Sequence, residues 1–210
     1  MPAAEPTDTP AGAHDDAAWV RIETSMSAAE LRLFIDDVER LYRINPLLEI
    51  AAFEPAGENR YRLVTLNHSN GSSIDVVVAV TPTDSAVEVA YGSGLKAATH
   101  FRVEAAPGGS HLFVTEIYGG GSADERRARA GEVDLSLNAW ARALHGYLGA
   151  WMRWRWLAPW RWYMRRVWQP MKPSSRRIVW MIWAISAFEM FAIVVLLGIW
   201  AIVRSAPLLV

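Results

Sequence analysis

The chain has 210 residues, enough for one domain of ordinary size plus an appendage. Its formal net charge of -1 conceals a division, because residues 1–134 carry 21 acids and 11 Lys/Arg (net -10), whereas residues 135–210 carry 10 Lys/Arg and one acid, Glu189 (net +9). The absence of cysteine excludes disulfides, thiolate metal sites and cysteine nucleophiles.

The amino-terminal region predicts an arm, a strand and a helix. Residues 1–17 are rich in Pro, Ala, Thr and Asp, which predicts a disordered arm without the apolar stretch of a secretory signal. Trp19–Met26 predicts the first strand, and the capping box Ser27-Ala28-Ala29-Glu30 predicts a helix that ends at Asn45-Pro46. The apolar face of that helix consists of Leu31, Phe34, Ile35, Val38, Leu41 and Tyr42.

A series of short strands follows this helix. The strand-like runs lie at approximately 47–55, 59–68, 73–81, 86–91, 96–105 and 110–118. They are separated by short breakers at Pro55–Gly57, Ser69–Gly71, Pro82–Asp84, Gly92–Gly94 and Pro107–Gly109. Because such short connections join antiparallel neighbours, the pattern predicts a curved antiparallel meander.

A long helix is predicted after the glycines at 119–121. A second capping box, Ser122-Ala123-Asp124-Glu125, marks its start, and no proline interrupts it before Pro159. The apolar positions of this helix are Val133, Leu137, Trp140, Leu144, Leu148 and Trp151.

Over residues 18–155 this order of elements resembles the START/Bet v 1-like superfamily, also called the SRPBCC or polyketide cyclase/dehydrase group. The resemblance also rests on the first helix ending in ERLYRINP (residues 39–46) and on the glycine-rich entry to the last helix. It implies an α+β helix-grip fold in which a seven-stranded curved antiparallel sheet wraps around the long helix. It further implies an apolar cavity between sheet and helix for a lipid, sterol, quinone or polyketide.

The resemblance suggests a set of apolar side chains as candidate cavity residues. They are Val76, Val78, Val89, Tyr91, Phe101, Phe113, Trp140 and Leu144. The alternative interpretation is that each of them simply fills the core.

Titratable residues on the strands are the candidates for acid–base chemistry. They are His68, His100, Asp75, Glu116 and Tyr118. Strand alternation places His100 on one face with Lys96, Arg102 and Glu104, which is typical of a solvated face. His68 closes a strand beside the turn at Ser69–Gly71, which predicts a position at a rim. The chain contains no HExxH, GxSxG or phosphate-loop motif. The sequence therefore names no catalytic residue and no metal site, and it favours a binding domain over an enzyme.

The segment Trp151–Trp168, called the Trp/Arg segment below, contains six Trp, one Tyr, five Arg and no acid. Indole and phenol rings prefer the lipid headgroup layer, where arginines meet phosphates, so residues 151–177 are predicted to lie at a membrane interface in short pieces cut by Pro159, Pro170 and Pro173. A nucleic-acid surface is the rival interpretation, which the neighbouring apolar span disfavours, and simple anchoring is the other. The predicted interface residues are Trp151, Trp154, Trp156, Trp160, Arg161, Trp162, Arg165, Arg166 and Trp168.

Residues 178–203 predict one transmembrane helix. These 26 residues contain one charge, and as a helix they reach roughly 39 Å, against about 30 Å of hydrocarbon. Eight Lys/Arg lie between Arg153 and Arg177, and only Arg204 follows the span. The positive-inside rule therefore predicts a tail-anchored, single-pass protein of the cytoplasmic (inner) membrane whose amino-terminal domain lies in the cytoplasm.

Glu189 is the twelfth residue of the predicted span, near the bilayer midplane. An acid at this depth costs on the order of 2 to 3 kcal/mol, so such a residue usually faces protein. We predict that Ser186, Glu189 and Ile193, with Ile182, form a face that packs against an integral membrane partner or a second copy. The alternative is a protonated Glu189 tolerated in lipid.

Two functions are consistent with the sequence. The first is a membrane-anchored START-like domain that binds or transfers a lipophilic ligand, such as a lipid, sterol or quinone, with no other cofactor and no nucleic acid. The second is an accessory or anchoring subunit of a membrane redox enzyme. The layout is similar to that of the carbon monoxide dehydrogenase G-subunit type and of START-like proteins that bind coenzyme Q.

Overall fold

The computed structural model describes residues 17–94, 96–119 and 123–205, with side chains between 123 and 205 described only from Ser136 to Arg204. Residues 1–16 of the predicted arm, the predicted capping box at Ser122 and the side chain of Val133 lie outside this description. The chain divides into two compact units, Met1–Pro170 and Met171–Val210.

The described residues of the first unit form seven strands in one antiparallel sheet. Its strand order is β1-β7-β6-β5-β4-β3-β2. Consecutive strands from β2 to β7 are therefore neighbours, and the first strand, β1, pairs with the last, β7. This topology confirms the predicted α+β meander. The strands are β1 (Ala17–Thr24), β2 (Leu48–Gly57), β3 (Arg60–Asn67), β4 (Ser73–Pro82), β5 (Ala86–Tyr91), β6 (Ala98–Ala106) and β7 (Gly109–Ile117).

The helices of the first unit lie before β2 and after β7. They are α1 (Ala28–Ile35), α2 (Val38–Ile44), α3 (Ala123–Trp154), α4 (Ala158–Tyr163) and a π-helical turn, Met164–Trp168. The sheet wraps around α3, whose described apolar positions from Leu137 to Trp151 are buried at the predicted spacing. This arrangement confirms the predicted helix-grip architecture.

Trp140 of α3 lies at the centre of the core. Its ring centroid is 5.6 Å from that of Phe101 on β6 and 5.4 Å from that of Tyr42 on α2. The indole Nε1–H donates a hydrogen bond of 2.9 Å to the carbonyl oxygen of Leu41, so the buried polar atom of this side chain is satisfied.

The predicted first helix is two helices in the structure. The capping box is confirmed, since Ser27 Oγ accepts from the Glu30 N–H at 3.3 Å and Glu30 accepts from the Ser27 N–H at 3.2 Å. The prediction of one continuous helix is wrong, because Asp37 caps a new helix by accepting from the Arg40 N–H at 3.1 Å. The predicted apolar face is nevertheless buried across both helices.

The turn predicted at Pro55–Gly57 is also wrong. β2 continues through these residues with a register shift, and the turn lies at Glu58 and Asn59, whose φ of 51° is in the left-handed region. β2 is an edge strand, where proline is tolerated because one side of the strand needs no ladder hydrogen bonds.

The second unit contains α5, Pro173–Ser205, which includes the whole predicted span from 178 to 203. It is long and apolar enough to cross a membrane, and its apolar side chains are largely exposed.

Candidate functional site

A cavity of about 150 Å³ lies between the sheet and α3. Ser136, in the amino-terminal half of α3, forms part of its helix side. The sheet contributes an apolar wall, a polar floor and an exposed mouth.

The apolar wall is positioned by strand alternation. Leu63 on β3 lies opposite Val76 on β4, and Thr65 lies opposite Ile74, so these residues point to one face of the sheet. Leu48 at the start of β2 extends the same wall. The wall therefore offers a lipophilic surface with one hydroxyl, that of Thr65.

The polar floor is formed by Glu116, Lys96 and Tyr118. Glu116 is 1% exposed on the inner face of β7, and it accepts hydrogen bonds from the Lys96 ammonium and the Tyr118 hydroxyl. Burial by itself lowers the pKa of Lys96, but the Glu116 carboxylate and Tyr91 outweigh this effect and raise that pKa above its ordinary value. At neutral pH the floor thus contains a lysine ammonium beside a buried glutamate.

A second polar group lies beside this floor. The Tyr42 and Tyr91 hydroxyls are hydrogen-bonded to each other, and the Tyr91 hydroxyl lies 3.1 Å from Thr99 Oγ1. Burial, followed by the neighbouring Tyr91, raises the pKa of Tyr42 well above its ordinary value. Tyr42 therefore remains a neutral phenol that both donates and accepts hydrogen bonds.

The mouth of the cavity is formed by the exposed β3–β4 turn and the β5–β6 connection. Asn67 Oδ1 accepts from the Ser69 N–H at 2.9 Å, and Asn70 Oδ1 accepts from the Ser72 N–H at 3.0 Å, which shapes the turn locally. Gly94, with a φ of 107°, allows the backbone of the other connection to adopt a conformation unfavourable for other residues.

The structure divides the predicted cavity residues into three groups. Val76 and Tyr91 line the cavity. A further five point to the same side of the sheet or come from α3, but they pack in the core between sheet and helix, as the alternative interpretation proposed: Val78, Val89, Phe101, Trp140 and Leu144.

Phe113 is a correction, because it lies on the opposite face of the sheet. It pairs with Arg21 on β1 and Arg102 on β6, and the Arg102 guanidinium lies 4.7 Å from its ring centroid. Trp19 packs beside it, with 6.4 Å between ring centroids. Residues 112–114 are all buried, so the hydrophobicity of the sequence does not distinguish the inward face of β7 from its outward face.

Of the titratable candidates, only Glu116 and Tyr118 line the cavity. The others have partners away from it: His68 lies 3.1 Å from Glu49, His100 lies 3.6 Å from Glu88, and Asp75 forms an ion pair with Arg62 at 2.7 Å.

The assignment of Lys96 to a solvated face is wrong. Its side chain binds Glu116 instead, because β6 begins only at Ala98 and strand alternation does not extend to residue 96. Tyr42, Thr65 and Ser136 also line the cavity without having been predicted as site residues. A polar hydroxyl at an otherwise apolar inward position was the available signal for Thr65 and Tyr42.

The predicted interface tryptophans divide into two sets. The inner set, Trp151, Trp160 and Trp168, packs against the domain, and Trp151 is buried. The outer set, Trp154, Trp156 and Trp162, is exposed, as are Arg161, Arg165 and Arg166. The prediction that Trp151 faces a membrane is therefore wrong, because its ring stacks on Tyr147 with 6.2 Å between centroids.

The predicted partner face of the span consists of exposed residues of α5. Ser186, Glu189 and Ile193 all lie on its exposed surface in the second unit. Their contact with another membrane helix stays a prediction.

Comparisons with known proteins show similarity of fold alone. No family model matches the chain, and no curated protein matches its sequence. A conserved protein from Geobacillus kaustophilus is 12% identical with a TM-score of 0.50, and the match covers 64% of this chain and 95% of that one. A START superfamily protein from Mycobacterium smegmatis is 18% identical with a TM-score of 0.47, covering 64% and 96%. The predicted START/Bet v 1-like fold is confirmed.

Proposed function

Since the chain has the helix-grip fold of the START/Bet v 1-like superfamily, we propose that its cavity binds a lipophilic molecule with an oxygen-bearing polar end, and that α5 anchors the protein in a membrane. The observation that carries this proposal is the combination of an apolar wall, Leu48, Leu63, Ile74 and Val76, with a floor in which the buried Glu116 binds the half-buried Lys96.

The wall and the floor select different parts of one ligand. Apolar side chains favour a hydrocarbon surface, because its removal from water is favourable. An ammonium carries three N–H donors, and one of those of Lys96 is directed to Glu116, which leaves donors for a ligand oxygen. A carbonyl, hydroxyl or ester fits this requirement, and quinones, sterols and lipids carry such groups.

The volume of the cavity limits what it encloses. About 150 Å³ accommodates a single ring or the end of a chain. A larger ligand would place its polar or ring-bearing end at the floor and extend through the mouth between Ser69 and Gly94.

The proposed membrane arrangement rests on α5 and on the charges beside it. A helix over Pro173–Ser205 exceeds the thickness of a bilayer, and eight Lys/Arg precede its apolar stretch within residues 153–177. The positive-inside rule would then hold the first unit in the cytoplasm as the soluble part of a single-pass, tail-anchored protein.

The experiment that tests the proposed function uses the full-length protein in nanodiscs of one synthetic lipid, purified from its native host. Organic extracts of the wild type and of Val76→Trp are compared by mass spectrometry. The larger side chain fills the cavity from β4, so a bound quinone, sterol or lipid is expected in stoichiometric amount with the wild type and strongly depleted in the variant.

The matched control is Val77→Trp, which changes the adjacent residue on the exposed face of the same strand. It is expected to retain the ligand. Ser136→Phe fills the cavity from the helix side. Loss of ligand in this variant as well would show that the loss in Val76→Trp does not come from a folding defect of β4. Equal compound profiles in all four folded proteins, checked by thermal unfolding, would contradict the proposal.

Glu189 supports a second candidate function, an accessory subunit of a membrane complex, because an acid within an apolar span favours a protein neighbour. A photocrosslinker at 186 or 193 is expected to capture a protein, whereas one at 191, on the opposite side of the helix, is expected to capture lipid. Lipid adducts alone at all three positions would eliminate this candidate.

A further inference from the structure

The Trp/Arg segment is packed onto the first unit by its inner set of tryptophans. Trp160 lies 5.6 Å from Trp151, and Trp168 lies 5.6 Å from Tyr147, measured between ring centroids. Arg155 adds an ion pair with Glu30 of 2.6 Å. The segment is therefore a fixed part of the domain surface, and the direction in which its other residues point is set by the domain.

The outer set presents large rings and positive charge on this surface. Trp154, Trp156 and Trp162 are 42%, 72% and 62% exposed. Four exposed arginines lie among them, and residues 151–168 contain no acid. The exposed arginines are Arg153, Arg161, Arg165 and Arg166. Exposed indoles surrounded by arginines match the headgroup layer of an anionic bilayer, where rings lie at the apolar boundary and guanidinium groups bind phosphates.

The position of this surface in the chain favours a bilayer over a nucleic acid. Only four residues, 169–172, separate Trp168 from Pro173, the first residue of α5. Even fully extended, this connection spans no more than about 20 Å. If α5 crosses a membrane, the outer set is held within reach of the surface of that membrane.

The cavity lies towards the other end of α3. Ser136 lines the cavity, whereas Trp154, the first member of the outer set, ends the helix. These 18 residues correspond to roughly 27 Å along the helix axis. The mouth at Ser69, Asn70 and Ser93 therefore lies at the end of the domain remote from the outer set.

We propose that the outer set docks on an anionic leaflet and that this docking holds the mouth of the cavity away from the same leaflet, towards the aqueous phase. Docking requires only the outer set and the lipid phosphates. The consequence of docking for a ligand rests on the proposed function. The ligand would enter and leave the cavity from the aqueous phase, because the mouth would not open directly into the bilayer.

Because the 210-residue sequence contains no cysteine, a single introduced cysteine can be labelled specifically. Single nitroxide labels are placed at Trp156→Cys, Trp162→Cys and Asn70→Cys of the full-length protein in liposomes. The collision rates of each nitroxide with oxygen and with a water-soluble nickel chelate report the depth of the label in the bilayer. Labels at 156 and 162 are expected to be shielded from the nickel chelate in vesicles that contain phosphatidylglycerol, and to be less shielded in vesicles of pure phosphatidylcholine. The label at 70 is expected to stay accessible to the nickel chelate in both.

Charge reversal gives the size of the effect. Arg161→Glu is expected to lower the ratio of docked to undocked protein, read from the label at 156, by at least about fivefold, the contribution of one basic residue near an anionic surface. High salt is expected to weaken docking in the same direction. Arg142→Glu, which changes an exposed arginine of α3 twelve residues and roughly 18 Å before Trp154, is the matched control and is expected to leave the ratio unchanged.

Three outcomes would overturn the proposal. A label at 156 that is equally accessible to nickel in both lipid compositions removes the docking surface. A label at 70 that is shielded by lipid removes the orientation. Protection of 156 by an added oligonucleotide, and not by lipid, assigns the surface to nucleic acid. An empty cavity would contradict the proposed function, but it would not change the accessibility of any of the three labels.

Discussion

The middle of the layer between sheet and α3 and the cavity end of that layer are built from the same strand faces, yet they differ in content. The middle is filled by Phe101, Trp140 and Leu144, each at most 1% exposed. The cavity end replaces such side chains with Glu116 and Lys96 and leaves open space. The difference indicates that the middle mainly stabilises the fold, whereas the cavity end gives up packing for polar groups that a ligand can contact.

The largest expected effect comes from matched leucine truncations in the two regions. Leu144→Ala removes a side chain surrounded by the core, and we expect it to lower the free energy of unfolding of the first unit by about 4 to 5 kcal/mol. Leu63→Ala enlarges an existing cavity, so fewer contacts are lost and we expect about 2 to 3 kcal/mol. Urea titrations of the full-length protein in nanodiscs measure both, and equal losses would contradict the comparison.

A pair of phenylalanine truncations separates the two faces of the sheet. Phe101→Ala in the core is expected to cost about 4 kcal/mol, and Phe113→Ala on the outer face about 2 to 3 kcal/mol, because Trp19 and Arg102 can close over the latter site. The first reduces ligand retention in the nanodisc extracts by loosening the core beside the cavity, whereas the second leaves it unchanged. Ligand loss in Phe113→Ala would show that the outer face communicates with the cavity.

Removing the charge of the floor has a smaller effect that depends on pH. Lys96→Met leaves Glu116 buried without its ammonium partner, and we expect a loss of about 1 to 3 kcal/mol at neutral pH. The pKa of Lys96 is raised in the folded state, so the stabilisation is complete below its ordinary value of 10.5 and is lost as the pH rises through the raised value.

The stability difference between the wild type and Lys96→Met should therefore be constant from neutral pH to about pH 10 and decline only above it. Lys96→Arg, which keeps the charge, serves as the control and is expected to retain most of the stability. A difference that disappears already below pH 9 would contradict the assigned ion pair.

The smallest expected effect concerns the attachment of the Trp/Arg segment. The hydrogen bond from Arg155, followed by those from Ser27, lowers the pKa of Glu30 below its ordinary value of 4.5. The contribution of this contact is present above that ordinary value and is lost as the pH falls through the lowered one. A carbon-13 NMR titration should find the Glu30 pKa below 4.5 in the wild type and closer to it in Arg155→Gln. Identical values would mean that the ion pair is absent in solution.

Much of the domain was readable from local pattern. The spacing of Leu137, Trp140, Leu144 and Leu148 predicted the buried face of α3, and the Ser27–Glu30 box predicted where α1 begins. The break between α1 and α2 was missed because Asp37 is as compatible with a helix surface as with a cap, and only the geometry of the side chain decides between them.

The candidate site was less readable. Val76 and Tyr91 were predicted and line the cavity, but the floor depends on Lys96 and Glu116, which are 20 residues apart and come together only when β6 and β7 pair. Phe113 was assigned to the wrong face because it is buried on the outer face of β7 as well, where the side chains of Trp19 and Arg102 lie against its ring.

The sequence by itself determined the order of the elements, the antiparallel pairing of neighbouring strands, the apolar face of α3 and the apolar span within α5, because these follow from periodicity, short connections and length. Only the tertiary structure decided which side chains fill the core and which surround a cavity, and which tryptophans of the Trp/Arg segment point inward or outward. Those outcomes depend on contacts between residues that are distant in the chain. The hydrophobicity of one segment does not indicate which side chains of another segment pack against it.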